Sequence, residues 1–142
     1  MNATLRLLLV DDDVADHLLV ELTLAQQPHP YALTSVFGAA AALHHLESAS
    51  QPPDLILLDI HMPGMDGFEL LTHLKAQPRW RAIPVVMFST SLEESDLRRA
   101  YQLQASGYLT KYDGLPQLAE QFAALLAFWQ RAALPPWSAA GR

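Results

Sequence analysis

Chemically reactive side chains stand at the ends of four apolar runs in this sequence. Charged residues are seldom placed against buried segments unless they are paired. Ordinary strand-end residues meeting water would explain one acid, but they explain the whole set poorly. The residues are Asp11, Asp12 and Asp13 after the first run, Asp59 after LILL, Ser89 and Thr90 after VVMF, and Lys111 after YLT.

Three of these acids point to metal-assisted chemistry. Asp11, Asp12 and Asp59 would repel one another if all were ionised, which would raise the pKa of at least one of them. A hard divalent cation relieves this repulsion, and Mg²⁺ prefers oxygen ligands of this kind. Only one histidine, His61, stands beside these acids, so Zn²⁺ is a poor candidate. A metal-bound carboxylate beside an ammonium and a hydroxyl suits phosphoryl transfer, with a carboxylate as the nucleophile and an acyl phosphate as the product.

The elements that must position these side chains alternate between strands and helices. The run Leu5–Val10 is apolar except for Arg6, which is typical of a strand buried on both faces. The alternation indicates an α/β fold with a doubly wound parallel sheet and helices on both faces. Sites in such folds lie beyond the carboxyl ends of the strands, where the polar residues above would meet. The predicted strands cover residues 5–10, 31–37, 55–58, 83–89 and 107–110, and the predicted helices cover residues 14–27, 38–47, 68–76, 92–103 and 115–131.

The ends and faces of the helices give more detailed expectations. Asp13 is expected to be the N-cap of the first helix rather than a metal ligand. Ser91 is expected to cap the fourth helix, with Glu94 three residues later. His17 has no metal-ligand spacing around it and is expected at the surface. Apolar residues recur at helical spacing as Leu18, Leu22 and Ala25 in the first helix, and as Leu115, Leu118, Phe122, Leu125 and Trp129 on the inner face of the last.

Length and composition fit one domain with a full core. The chain has 142 residues, of which 51% are hydrophobic. It has no cysteine, which excludes disulfides, thiolate metal sites and cysteine nucleophiles and fits a reducing cytosol. No apolar run is long enough for a signal peptide or a membrane span, so we expect a cytoplasmic protein. A net charge of −6 argues against unassisted nucleic-acid binding and favours proteins or cations as partners.

Four blocks of the sequence together resemble the receiver domains of two-component response regulators. The blocks are LLLVDDD, PDLILLDIHMPGMDGFELL, IPVVMFSTS and SGYLTK, and they occur in the order and at the spacing of that family. The resemblance runs from about Leu5 to Trp129. It implies a five-stranded sheet with the flavodoxin-like strand order 2-1-3-4-5.

The resemblance also implies a role for each residue at the edge of the sheet. Asp59 matches the family's phosphoacceptor and a metal ligand. Asp12 would be the direct Mg²⁺ ligand, Asp11 a second acid acting largely through water, and the backbone carbonyl of His61 another ligand. Lys111 would pair with the phosphoryl group.

Two residues match the family's conformational switch. Ser89 would bond the phosphoryl group, and its inward motion would be coupled to rotation of the Tyr108 ring. This movement would reshape the surface formed by the fourth helix, the fifth strand and the fifth helix. The surface would then be a two-state element that the phosphoryl group biases.

A receiver is a phosphoacceptor signalling protein rather than an enzyme. A histidine kinase would phosphorylate Asp59, the protein would assist its own phosphorylation and slow dephosphorylation, and the signal would pass through protein contacts. The motif YLTK without a following proline, with FW and LP near the end, resembles stand-alone receivers that partner phytochrome-type histidine kinases. One alternative is a phosphorelay intermediate or phosphate sink that passes the phosphoryl group onward. Another is a hydrolase, but the sequence offers no second acid placed to protonate a leaving group.

The C-terminal end of the chain predicts self-association. Residues 1–131 would form the receiver domain, and residues 132–142 a tail or dimerisation arm. Phe128 and Trp129 are adjacent, so they cannot both face the core, and Trp137 follows two prolines that favour an extended chain. We therefore expect a homodimer through the fourth and fifth helices or through the tail.

The residue after Lys111 departs from the family's commonest pattern. Tyr112 stands where many receivers have a proline. A cis peptide bond without proline costs about 2.5–4 kcal/mol. The sequence therefore predicts a trans Lys111–Tyr112 bond.

Overall fold

The computed structural model describes residues 4–111 and 114–134 and folds them into a parallel sheet with helices on both faces. The elements in chain order are β1 (Leu5–Val10), α1 (Val14–Ala25), β2 (Tyr31–Val36), α2 (Ala39–Ser48), β3 (Leu55–Leu58), α3 (Gly67–Ala76), β4 (Val85–Ser89), α4 (Glu94–Gln102), β5 (Gly107–Thr110) and α5 (Leu115–Arg131). The strand order is β2-β1-β3-β4-β5, which confirms the predicted doubly wound topology. The predicted Lys111–Tyr112 bond and the Trp137 arm lie outside the described residues.

Both faces of the sheet are buried, which explains why its central strands read as continuous apolar runs. Successive residues of a strand point to opposite faces. Ile56 of β3 packs into the core formed with α2, α3 and α4, whereas its neighbour Leu57 packs into the core formed with α1 and α5. In the second core the rings of Phe88 and Phe122 are tilted, with centroids 5.8 Å apart. The sheet is therefore packed between helices on both faces.

The predicted boundaries agree with the structure to within two residues, but α1 turns a different face to the sheet from the one its apolar repeat marks. Leu18 and Leu22 are 54% and 50% exposed, whereas Val20 and Leu24 are fully buried. Leucine and valine occur on both sides of this helix, so the repeat alone does not identify the inner side. Packing of Val20 and Leu24 into the core shared with α5 accompanies the observed rotation of the helix.

The predicted cap of α4 is wrong. The helix begins at Glu94, its N-cap is Glu93, and no side chain caps it. The Ser91 hydroxyl accepts a hydrogen bond from the Glu93 N–H at 3.2 Å and donates to Asp96 Oδ2 at 2.6 Å. Ser91 therefore organises the loop before the helix, because the chain between β4 and α4 is longer than the capping pattern assumes.

The inner face of α5 is largely as predicted. Leu118, Phe122 and Leu125 are buried, and Trp129 packs against the same core. Leu115 is the exception, because it lies in the first turn and is 41% exposed.

Candidate functional site

Most of the polar residues predicted from the sequence line a crevice of about 540 Å³ at the carboxyl edge of the sheet, and Asp11 and Ser89 are buried beside it. Strands β1 and β3 pair so that Val10 lies beside Leu58, and Asp11 and Asp59 follow directly. The Asp59 N–H donates to the carbonyl oxygen of Val10 at 2.9 Å, which fixes the two strand ends together. The residues lining the crevice include Asp12, Asp16, Asp59, His61, Thr90 and Lys111.

Lys111 lies among three carboxylates in this crevice. Its Nζ donates to Asp16 Oδ2 at 2.8 Å, to Asp11 Oδ2 at 2.9 Å and to Asp59 Oδ1 at 3.0 Å. Burial alone would lower the pKa of Lys111, but hydrogen bonds to Asp16 and Asp11 and the charge of Asp59 outweigh it and raise that pKa. The ammonium therefore stays charged at physiological pH. Lys111 is thus a direct partner of Asp59, and Asp16 is a further partner.

The two buried acids hold their protons more readily than free aspartate. Burial is the main cause and raises the pKa of both Asp11 and Asp59, while Lys111 opposes the shift. The sequence pointed to repulsion among the acids, and repulsion from Asp11 and Asp12 does contribute at Asp59. It ranks behind burial and behind the pairing with Lys111.

The acids are placed to bind a divalent cation. Asp11, Asp12 and Asp59 each offer a carboxylate oxygen, and these oxygens lie within 4.8 Å of one another. Asp12 is exposed, whereas the other two are buried. Three hard oxygen donors in a crevice open to water fit an ion that retains several water ligands. The residues present therefore fit a divalent metal, and His61, which lines the same crevice, stands beside them.

Asp11 is held in place by its neighbours. Its Oδ1 accepts the N–H of Asp13 at 2.9 Å, and its backbone oxygen lies 2.8 Å from Nε2 of His17. Asp13 Oδ1 accepts the N–H of Ala15 at 2.9 Å, so its predicted role as the N-cap of α1 is confirmed. The prediction that His17 lies at the surface is wrong, because the ring is buried and stacks on Phe37 with centroids 4.1 Å apart.

The first residue of α3 packs closely against the backbone of Asp59 and Ile60. Gly67 is buried, and its N–H donates to the Ile60 carbonyl oxygen at 2.8 Å. A Cβ at this position would lie 2.1 Å from the backbone oxygen of Asp59. Asp66 and Glu69 form a capping box that fixes the first turn of the helix. Only glycine allows α3 to approach the end of β3 this closely.

The two predicted switch residues meet at Ser91. Ser89 is fully buried, and its hydroxyl accepts the N–H of Ser91 at 3.1 Å. The Tyr108 hydroxyl donates to the backbone oxygen of Ser91 at 2.8 Å. Thr90, rather than Ser89, lines the crevice. The loop after β4 thus connects the buried hydroxyl to the aromatic ring on β5.

Sequence reasoning missed two residues of this site. Asp16 bonds Lys111, and its position in the first turn after the acidic strand end is the one signal that marks it. Gln121 of α5 donates to the carbonyl oxygen of Thr110 at 2.7 Å and accepts its N–H at 3.2 Å. This pairing fixes the end of β5 immediately before Lys111, and no motif in the sequence identifies it.

Comparison with known proteins agrees with this geometry. The family model described as the response regulator receiver domain matches residues 7–123. Response regulator Rcp1 of Synechocystis sp. is 35% identical over 128 residues, which cover 87% of this chain and 87% of Rcp1. The structure of the phosphorylated cyanobacterial phytochrome response regulator RcpA has a TM-score of 0.85 at 35% identity and covers 94% of this chain and 99% of its own. The Mn²⁺-bound form of Rcp1 has a TM-score of 0.81 at 34% identity, covering 92% of this chain and 98% of its own.

Three observations agree with one another: a receiver family model spans most of the chain, similar proteins are response regulators, and an aspartate cluster lies at the carboxyl edge of the sheet. The chain therefore belongs to the family of response regulator receiver domains and is a two-component signalling protein homologous to response regulator Rcp1 and to the phytochrome response regulator RcpA.

Proposed function

We propose that Asp59 accepts a phosphoryl group from a histidine kinase and that the phosphorylated protein signals through altered protein contacts. The observation that carries the proposal is the distance of 3.0 Å between Asp59 Oδ1 and the Lys111 ammonium, beside the carboxylates of Asp11 and Asp12. Asp59 is the one of these acids that follows the central strand β3 and rests on α3. It is therefore fixed in position while open to a donor.

The proposed reaction is a transfer between two side chains. An oxygen of Asp59 forms a bond to phosphorus as the bond from phosphorus to the kinase's histidine nitrogen breaks, and that nitrogen keeps the electron pair. Lys111 offers an N–H to a phosphoryl oxygen, and the hydroxyl of Ser89 is the second proposed donor. Mg²⁺, held by Asp11, Asp12, Asp59 and the backbone carbonyl of His61, would neutralise charge on the phosphoryl oxygens. The protein thus assists its own phosphorylation and slow dephosphorylation, and it is a signalling protein rather than an enzyme with an external substrate.

The proposed kinase is of the phytochrome type, and the proposed site of action is the cytoplasm. The first proposal rests on the relatives, since RcpA is a phytochrome response regulator and is 35% identical to this chain. A phytochrome-type kinase should transfer its phosphoryl group to this protein faster than an unrelated kinase does. For the proposed site of action, the relevant observation is that within the described ranges no helix has the length and hydrophobicity that crossing a membrane requires.

The output is proposed to include self-association through α4 and α5. Large apolar side chains are exposed on this side of the molecule: Leu92 is 64%, Tyr101 54% and Phe128 63% exposed. Phe128 also borders a cavity of about 370 Å³ between β5 and α5, which Tyr108 lines as well. Sedimentation with and without a phosphoryl mimic tests this proposal, and a monomer at high concentration in both states would contradict it.

The phosphoacceptor role can be tested without the kinase. The protein is incubated with a small acyl phosphate and Mg²⁺, and the adduct is measured by intact mass and by its stability in acid and in base. Wild type should gain one phosphoryl group that is stable in acid and lost in base, and Asp59→Asn should gain none. Asp66→Asn is the matched control, because asparagine keeps the N-cap of α3 and the residue lies outside the crevice. An undiminished adduct on Asp59→Asn would contradict the proposal.

A further inference from the structure

Asp16 is the partner of Lys111 that the rest of the site does not explain. The Lys111 ammonium has three N–H groups, and Asp11, Asp16 and Asp59 each lie within hydrogen-bond distance of it. The contact with Asp16, at 2.8 Å, is the shortest of the three. Asp16 is not among the carboxylates whose oxygens come close enough to share a metal ion.

Asp16 stands on a firmly fixed turn. It lies in the first turn of α1, three residues after the N-cap Asp13, whose carboxylate accepts the N–H of Ala15. The next residue, His17, is buried and reaches the backbone oxygen of Asp11 at 2.8 Å. The Asp16 carboxylate is therefore carried by α1, while Lys111 directly follows β5.

The other two partners of Lys111 both have competing tasks. In the proposed function Asp59 becomes an acyl phosphate and Asp11 faces a metal ion. Asp16 has neither task, and its side chain is 23% exposed at the rim of the crevice. It can therefore keep its hydrogen bond to Lys111 before and after phosphorylation.

We propose that Asp16 is a positioning residue that anchors the Lys111 ammonium, so that only the N–H bonded to Asp59 has to move onto the phosphoryl group. This inference rests on the proposed phosphorylation of Asp59. Without the anchor, the flexible lysine side chain pairs with Asp11 and Asp59 alone and has to give up a larger share of its bonds when Asp59 is modified. Loss of the anchor should slow phosphoryl transfer.

The chain offers a matched set of variants for the test. Asp16→Asn removes one charge at the anchor. Asp13→Asn removes one charge from the same crevice and the same helix end, keeps a good N-cap, and does not touch Lys111. Asp16→Glu keeps the charge on a longer side chain. Both asparagine variants remove one negative charge near the phosphodonor, so a difference in rate between them reports the positioning of Lys111 and not the general effect of charge on the phosphodonor.

The first readout needs neither metal nor phosphate. The chain has only two lysines, Lys75 and Lys111, so the ¹⁵N spectrum of lysine ammonium groups has two signals, which Lys75→Arg assigns. In metal-free protein the Lys111 protons should exchange with water at least fivefold faster in Asp16→Asn than in wild type, and Asp13→Asn should match wild type. Equal exchange in the two asparagine variants would overturn the proposal.

The second readout is the rate of phosphorylation by a small acyl phosphate with Mg²⁺. We expect Asp16→Asn to be at least fivefold slower than Asp13→Asn, and Asp16→Glu to recover part of the rate. Faster exchange without slower transfer would overturn the positioning role and leave an ion pair alone. If wild type is not phosphorylated at all, the proposed function fails, while the exchange measurement still decides whether Asp16 holds Lys111. Should Asp16→Asn not fold, Asp16→Glu is compared with wild type by both readouts, and unchanged exchange and rate after this shift of the carboxylate would overturn the proposal.

Discussion

Replacing Gly67 with alanine should disturb both the stability and the site of this protein. A Cβ at residue 67 would lie 2.1 Å from the backbone oxygen of Asp59 and 2.8 Å from Cα of Ile60. Both are backbone atoms, so no side chain can rotate to make room. Restoring an ordinary contact of 3.4 Å requires α3 and the end of β3 to separate by about 1.3 Å.

The cost of that separation can be estimated from its parts. Overpacking a filled core costs about 1–3 kcal/mol. The hydrogen bond from the Gly67 N–H to the Ile60 carbonyl, now 2.8 Å long, would be stretched, and a net hydrogen bond contributes about 0.5–1.5 kcal/mol. We therefore expect Gly67→Ala to lower the free energy of unfolding by about 1.5–4.5 kcal/mol.

Urea unfolding measures this change, and Gly107→Ala is the matched control. A Cβ at Gly107 meets only the Val86 side chain, at 3.6 Å, so alanine should change stability by less than about 1 kcal/mol. Because Asp59 itself must move, Gly67→Ala should also be phosphorylated more slowly than Gly107→Ala. Equal unfolding free energies for the two variants would refute the claim that glycine is required by the close approach of α3.

Three further changes follow from the contacts around Lys111. Asp59→Asn should raise the free energy of unfolding at neutral pH, because burial raises the pKa of Asp59 and the folded protein no longer has to keep that carboxyl ionised. Asp59 of the folded wild type becomes protonated as the pH falls through its raised pKa, so the stability difference between Asp59→Asn and wild type should shrink towards about pH 4. A stability difference that grows on acidification would contradict this prediction. Lys111→Met should destabilise the metal-free protein by about 3–5 kcal/mol in urea, since it leaves buried carboxylates without their cation, and a stability equal to that of wild type would count against the three-carboxylate pairing. Gln121→Ala should cost about 1–3 kcal/mol by thermal or urea unfolding, because Thr110 loses hydrogen bonds at both its N–H and its carbonyl, and an unchanged stability would mean that water replaces them.

The sequence predicts the site better than it predicts the helices around it. Parallel strands bring their carboxyl ends to one edge whatever their side-chain packing, so Asp11, Asp59 and Lys111 could be placed together from the strand pattern alone. The N-cap role of Asp13 is equally local, since it depends only on the turn that follows β1. These predictions hold because each rests on one short-range rule.

The missed features depend on contacts between distant parts of the chain. Asp16 bonds Lys111 across 95 residues of sequence, and Gln121 bonds a strand end rather than a motif residue. The burial of His17 follows from the rotation of α1, which the two-sided apolar pattern of Val20 and Leu18 leaves undetermined. Helix rotation and side-chain reach are set by tertiary packing, and periodicity does not specify them.

The most direct test of this account identifies the residue that carries the phosphoryl group. Protein treated with a small acyl phosphate and Mg²⁺ is reduced with borohydride. One hydride displaces phosphate from the acyl carbon and gives an aldehyde, and a second hydride, with a proton from water, reduces the aldehyde to an alcohol. The modified side chain becomes that of homoserine, and peptide mass spectrometry locates it. We expect homoserine at residue 59 and aspartate at residues 11 and 12. Homoserine at residue 11 or 12, with residue 59 unchanged, would contradict it.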